Sequence, residues 1–294
     1  MDLTNTGVCN PGGGALCASQ AGSLKALHEF YTYHKAKPLA VRGSSGGDLN
    51  SCLFVQAFAD DGDSIFLMEK LWKTISHRKV HTLIPHIYPR TTGLFKLTPL
   101  YKTLIKLIDP KKLIDTGIDF KVRATRYGGG QDIEIGPDNA AFFKMVLASA
   151  SYPAVFRPQK IWGSYWADTG LSCNLPLDRL IHAGCTKLFI MHIEKSVPKV
   201  IKKNDLRLIR ILGRIISEMM ESHINIQLNE IEQINQQIEL GEGSPKHKKI
   251  ELINIVPAEY TTRPLHVMEF NSKRCGDSFD NGYRSARKFL NNIN

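Results

Sequence analysis

The chain has 294 residues, 43% of them hydrophobic and 22% charged, which excludes disordered and fibrous classes and allows a sizeable core without disulfides. Its six cysteines (Cys9, Cys17, Cys52, Cys173, Cys185 and Cys275) form no CxxC pair and no Cys/His cluster with zinc-ligand spacing, so neither a disulfide scaffold nor a zinc module is expected. The net charge of +10, from 38 Lys+Arg against 28 Asp+Glu, implies attraction to something anionic: nucleic acid, an acidic phospholipid surface, or simply a solvated basic face.

The amino terminus, Met1 to Asn5, has no basic n-region or apolar h-region, and no apolar run approaches a bilayer span. A cytoplasmic protein is the expectation, with signal-independent export left open. Thr6 to Asn10 reads as a first strand running into Gly12-Gly13-Gly14. A helix follows from about Ser19 to His34, with Leu24, Leu27 and Phe30 on one face. Pro38 to Val41 is a short strand ahead of a glycine-rich turn, and Leu49 to Ala59 is helical again. Leu67 to Ile114 reads as mostly helical, broken at Pro85, Pro89 and Pro99. Period-two alternation in Phe120 to Ala124 and Asp132 to Ile135, around Gly128-Gly129-Gly130, predicts a hairpin. Ala140 to Ala150 is helical, Ile161 to Ala167 an apolar strand, and Leu188 to Met191 a buried strand. Leu206 to Leu240 is helical, with an apolar stripe of Ile224, Leu228, Ile231, Ile234 and Ile238. Within it, Arg207, Arg210 and Arg214 oppose Ile209, Leu212 and Ile216, a pattern fitting either a core-packed helix or an anionic bilayer surface. A late strand, Ile250 to Val256, and a terminal helix, Asp280 to Leu290, close an α/β pattern with a mainly parallel sheet.

Three features carry chemistry. Gly43-Ser44-Ser45-Gly46-Gly47 fits a G-x-S-x-G nucleophile elbow, set between an apolar strand and a helix. Such a turn strains the serine backbone, needs neighbours without side chains, and lifts the hydroxyl to a helix N-terminus. A merely flexible glycine-serine loop is the alternative. Gly12-Gly13-Gly14 ahead of a helix can aim amides at an oxyanion or phosphate, or be an ordinary tight turn. No Gly-Lys-Ser/Thr follows it, which excludes a P-loop, and the spacing excludes a dinucleotide fingerprint. Asp168-Thr169-Gly170, followed by Asn174-Leu175-Pro176, places an acid at a strand end, as partner to a serine or as a turn residue. A conventional triad would also need a downstream histidine, from His182, His192, His223, His247 or His266.

In this order, the glycine loop, elbow and aspartate block resemble the patatin-like phospholipases. The likeness extends to Gly22 to Leu27, Ala148 to Phe156, Asn174 to Pro176, and Gly282-Tyr283 with Ala286-Arg287. It implies a three-layer α/β/α fold with a central, mostly parallel sheet. One acyl hydrolase domain would span residues 1–294, with 205–240 as a helical excursion. The resemblance further implies a Ser45–Asp168 dyad, an oxyanion hole at Gly12, Gly13 and Gly14, an elbow shaped by Gly43 and Gly47, and an aspartate block with Gly170. No cofactor or metal is implied. The implied substrate is a phospholipid or other acyl lipid at a transiently contacted anionic membrane, with no nucleic-acid partner. The chain departs from the family pattern at Leu16, Cys17, Asp48 and Thr169, which allows a weakly active or inactive lipid-binding member as the alternative.

Overall fold

The computed structural model describes residues 2–84, 92–193, 208–244, 247–258 and 267–293. In chain order, β1 (Thr6–Asn10) leads to α1 (Cys17–Tyr33), and β2 (Ala40–Gly43) to α2 (Gly46–Gln56). Then come α3 (Asp63–Thr74), α4 (His77–Val80), β3 (Thr82–Leu83), β4 (Gly93–Lys96), α5 (Thr98–Leu107) and α6 (Pro110–Asp115). The hairpin β5 (Asp119–Arg126) and β6 (Asp132–Ile135) is followed by α7 (Phe142–Ser149), β7 (Ala154–Phe156), β8 (Gln159–Ile161) and β9 (Ser164–Ala167). The last elements are α8 (Leu177–His182), β10 (Lys187–Met191), α9 (Leu208–Glu239), β11 (Glu251–Ile255) and α10 (Ser272–Asn292).

The main sheet runs β11-β10-β1-β2-β5-β9-β8, with β6 also paired to β5. From β11 to β5 every pairing is parallel, and the β5, β6, β8 and β9 pairings are antiparallel. Strands β1 and β2 are buried at every position, as expected for central parallel strands covered on both faces. Pro11 has no N–H to extend the β1 ladder, so the chain leaves the sheet there and enters the glycine loop. Helices α1 and α10 cross where Gly22 and Gly282 allow backbone contact. A Cβ on Gly22 would strike the Phe279 carbonyl, and one on Gly282 the Ser19 carbonyl. The stripe on α9 is core on its inner side: Ile224 and Ile231 are buried with Leu175, Leu177 and Leu180.

Two expectations are corrected. The helical reading of Leu67 to Ile114 missed a small second sheet, β3-β4-β7. It forms because Phe95 and Phe156 pack around His81, and because Gly93 lets the β4 backbone approach Arg157, where a Cβ would lie 2.7 Å from the amide nitrogen. The single strand expected over Ile161 to Ala167 is a hairpin, with Ile161 opposite Ser164. Its two-residue turn, Trp162-Gly163, takes positive φ at both positions (48° and 77°), the twist that a tight hairpin requires. Arg207 and His266 lie outside the described residues, as do the side chains of Ile209, Arg210, Leu212, Arg214 and Ile216. Among the described residues no helix is long and apolar enough to cross a membrane.

Candidate active site

Ser45 sits between β2 and α2 with φ 53° and ψ −127°, a backbone conformation that costs a non-glycine residue about 1–3 kcal/mol. The surroundings enforce it. The Ser44 amide donates to the Asn10 carbonyl (3.0 Å), and the Gly47 amide to the Ser44 carbonyl (2.8 Å). A Cβ on Gly47 would collide with the Asn10 carbonyl, and one on Gly43 would come within 2.8 Å of the Asp48 amide nitrogen. Both elbow glycines are therefore required by close backbone approach rather than by flexibility.

Asp168 follows β9 directly and is 3% exposed. Its amide donates to the Ser151 carbonyl (3.1 Å), and its Oδ1 accepts from the Gly170 amide (2.7 Å). The structure brings this carboxyl and Ser45 into one cavity, close enough for the Ser45 side chain to lower the carboxyl's pKa. Burial raises the Asp168 pKa to about 7, against the lowering effects of the Ser45 hydroxyl and the Gly170 amide; the Asp48 charge pushes it further up. Thr169 adds a tie between the two motifs: its Oγ1 lies 2.7 Å from the Ser44 Oγ. A glycine there would lack this bond, so the departure from the family pattern fastens the aspartate block to the elbow.

The glycine loop divides its labour. Gly12 is clamped by Asn174, its amide donating to Oδ1 (2.8 Å) while its carbonyl accepts from Nδ2 (3.3 Å). The Gly12 amide is thus engaged by Asn174 in this structure. Gly13 and Gly14 line the cavity beside Ser45, and the Gly13 amide also acts on the Cys17 thiol, lowering its pKa against burial. Gly14 has φ 54°, and a Cβ on it would meet the Val267 carbonyl. Beneath the loop, Leu16 and Cys17 are both buried, and burial pushes the Cys17 thiol well above its ordinary range, so it stays protonated. Its Sγ would stand 2.9 Å from a Cβ on Gly46, which makes Cys17 packing rather than chemistry.

A second buried carboxyl was legible only as an oddity. Asp48, in the first turn of α2, is fully buried, and its Oδ2 accepts from the Ser149 hydroxyl (2.6 Å). Ser149 Oγ in turn accepts from the Ser45 amide (2.9 Å). The chain Asp48–Ser149–Ser45 ties down the strained residue through its amide. Burial raises the Asp48 pKa to about 7, despite the Ser149 bond, the Arg123 amide and the Arg123 guanidinium.

Ser45, Asp168, Gly13 and Gly14 occupy the polar end of a cavity whose walls include Leu53, Trp72, Leu104, Val155, Phe156 and Met268. Two polar side chains in that wall are bonded within the protein: the Trp72 indole donates to Asn50 Oδ1 (2.9 Å), and Asn50 Nδ2 donates to the Cys17 carbonyl (2.9 Å). What remains is a largely apolar slot that contains the Ser45 hydroxyl, the Asp168 carboxyl and the Tyr152 phenol. No histidine among the described residues lines it. His182 Nδ1 is bound at the Asp178 carbonyl (2.7 Å) and His192 Nε2 at Asn254 (2.8 Å), so neither serves as a third member. Among the described residues no three His, Cys, Asp or Glu side chains are grouped to hold a metal ion.

A family model described as patatin-like phospholipase matches residues 9–181, from the last residues of β1 through α8. Among curated proteins none matches the chain significantly. Among solved structures, the crystal structure of VipD from Legionella pneumophila is similar at 14% identity and a TM-score of 0.41, covering 98% of this chain. The chain spans 66% of the length of that protein.

Proposed function

This chain belongs to the patatin-like phospholipase family, a family of lipid acyl hydrolases, and from that premise we propose that it cleaves fatty acyl esters of phospholipids or related lipids through Ser45 and Asp168. The observation that carries the reading is that Ser45 and Asp168 line one largely apolar cavity, close enough for the serine side chain to act on the carboxyl. In this mechanism the acyl chain lies in the slot and its ester carbonyl reaches Ser45. Asp168, ionised, takes the hydroxyl proton as Oγ attacks. The amides of Gly13 and Gly14 stabilise the tetrahedral oxyanion, and the α2 N-terminus adds its dipole. Asp168 returns the proton to the departing alcohol, leaving an acyl-serine. Water, deprotonated by the same carboxylate, releases the fatty acid and restores the hydroxyl.

A fluorophosphonate probe and a phospholipid hydrolysis assay test this together. Labelling and turnover are expected in the wild type and absent in Ser45→Ala; equal activity in both would discard the mechanism. A second reading, a lipid-binding member with little turnover, draws on the buried apolar Leu16, which provides no cation beside the glycine loop, and on the second carboxyl at Asp48. It predicts liposome binding with negligible turnover already in the wild type.

A further inference from the structure

Outside the slot, the most unusual surface is formed by two adjacent hairpin tips. The β5–β6 tip carries Tyr127 ahead of three glycines, and the β8–β9 tip carries Trp162-Gly163 and then Tyr165. The tips are joined: the Tyr127 amide donates to the Tyr165 carbonyl (2.8 Å), and Arg126 is paired with Trp166 across the strands. Tyr127, Trp162 and Tyr165 are 61%, 57% and 50% exposed. A core-forming role does not explain them. Trp162 in particular holds a positive φ, where Asn, Asp or Gly is usual, yet its indole faces solvent. It is also ordered from below, edge-on to the buried Trp166 ring at 6.3 Å.

Charge completes the pattern. Arg126, Arg157 and Lys160 are exposed around the tips, and Lys160 is directly opposite Tyr165. None of the three has a carboxylate partner among the described residues, and no acidic residue occurs in Tyr127–Gln131 or Gln159–Tyr165. Large aromatic rings with polar edges, set among unpaired cations, match the headgroup level of a bilayer carrying anionic lipid. A nucleic acid or protein partner would be read by side chains, and Gly128, Gly129 and Gly130 offer none.

The platform is also correctly placed. Ala167 pairs with Thr125 near the carboxyl end of β5, the edge of the sheet where β1 and β2 deliver the glycine loop and Ser45. Since β9 is antiparallel to β5, moving back from Asp168 towards Trp162 leads outward beyond that edge. We propose that Tyr127, Trp162 and Tyr165, with Arg126 and Lys160, form an interfacial platform that seats the protein on an anionic phospholipid bilayer, beyond the edge of the sheet that carries Ser45 and Asp168. This rests on the reading of the site as a lipid acyl hydrolase, and it names the surface by which that site meets its substrate.

The chain has three tryptophans, of which Trp72 and Trp166 are buried, so Trp162 is the one able to report contact. The experiment mixes Ser45→Ala protein, which leaves the lipids intact, with phosphatidylcholine–phosphatidylserine vesicles and vesicles of phosphatidylcholine alone. On the mixed vesicles, tryptophan emission is expected to shift to the blue and to be quenched by bromine-labelled acyl chains. Trp162→Phe abolishes the optical change while vesicle cosedimentation persists. The triple variant Tyr127→Ser, Trp162→Ser, Tyr165→Ser loses cosedimentation roughly tenfold. The same triple change in the Ser45 protein leaves hydrolysis of a soluble short-chain ester unchanged. Unquenched emission on mixed vesicles, or undiminished cosedimentation of the triple variant, overturns the proposal. So does a blue shift that depends on protein concentration without vesicles, which would identify a second copy as the occupant. Because binding is read without turnover, failure of the platform and failure of the hydrolase reading are separately visible.

Discussion

Asp48→Asn removes the one buried carboxyl of the site that the proposed reaction does not use. In the fold its Oδ2 accepts from Ser149 (2.6 Å), and from the Arg123 amide at 3.5 Å, while Oδ1 is buried without a partner. A carboxyl so placed is disfavoured as an anion, and its pKa stands at about 7 against an ordinary 3.8. At ~1.4 kcal/mol per unit, ionising it inside the protein costs about 4 kcal/mol more than ionising it in the unfolded chain. The sign follows from the raised value. The stability is fully present below pH 3.8 and is lost as the pH rises through about 7. Asparagine is neutral at every pH and can still accept from Ser149. Its NH₂ group, facing the same space, forfeits about 1 kcal/mol. Asp48→Asn is therefore expected to match the wild type within about 1 kcal/mol at pH 5 and to exceed it by roughly 2–4 kcal/mol at pH 8. Urea unfolding followed by circular dichroism at both pH values measures this. A variant less stable than the wild type by the same amount at both would refute the reasoning, because it would mean that Arg123 sustains Asp48 as a stabilised anion.

Other outcomes follow from the same contacts. If Asp168 is the base, it must be ionised to work, so the fluorophosphonate labelling rate should rise with pH to a half-maximum near 7 and fall away below it. In Asp48→Asn that midpoint should move down, since the Asp48 charge helps to raise it. Ser149→Ala leaves the buried Ser45 amide without its acceptor, and a loss of about 1–3 kcal/mol in urea unfolding is expected, with slower labelling of Ser45. Leu104→Phe narrows the apolar slot, and kcat/KM for long-chain esters should fall by roughly tenfold relative to short-chain ones, as measured on an ester length series.

The sheet and the site differ in how openly the chain declares them. Val8 and Val41 lie in short apolar runs bounded by glycine or proline, and Phe189 in the apolar run Leu188–Met191; the parallel core follows from that pattern. Ser45 was legible because a strained elbow admits so few neighbours that the pentapeptide is almost a description of its geometry. Asp168 alone was only a turn residue; the order of motifs singled it out. What stayed hidden depends on contacts between distant segments. Nothing local indicates that Asn174 takes the Gly12 amide, that Ser149 links Asp48 to Ser45, or that Thr169 reaches Ser44. The β8–β9 turn was missed because Trp162 occupies a positive-φ position without the Asn-Gly or Asp-Gly signature. The small sheet was missed because its pairings are held by aromatic stacking across the chain, to which local periodicity is blind.

The central claim is that the Ser45 hydroxyl is made nucleophilic by Asp168. Intact and peptide mass spectrometry after brief fluorophosphonate exposure tests it most directly. The account predicts a single adduct on Ser45 in the wild type, none in Ser45→Ala, and a rate lower by roughly a hundredfold or more in folded Asp168→Asn. An adduct on another residue, or an undiminished rate in Asp168→Asn, would contradict it.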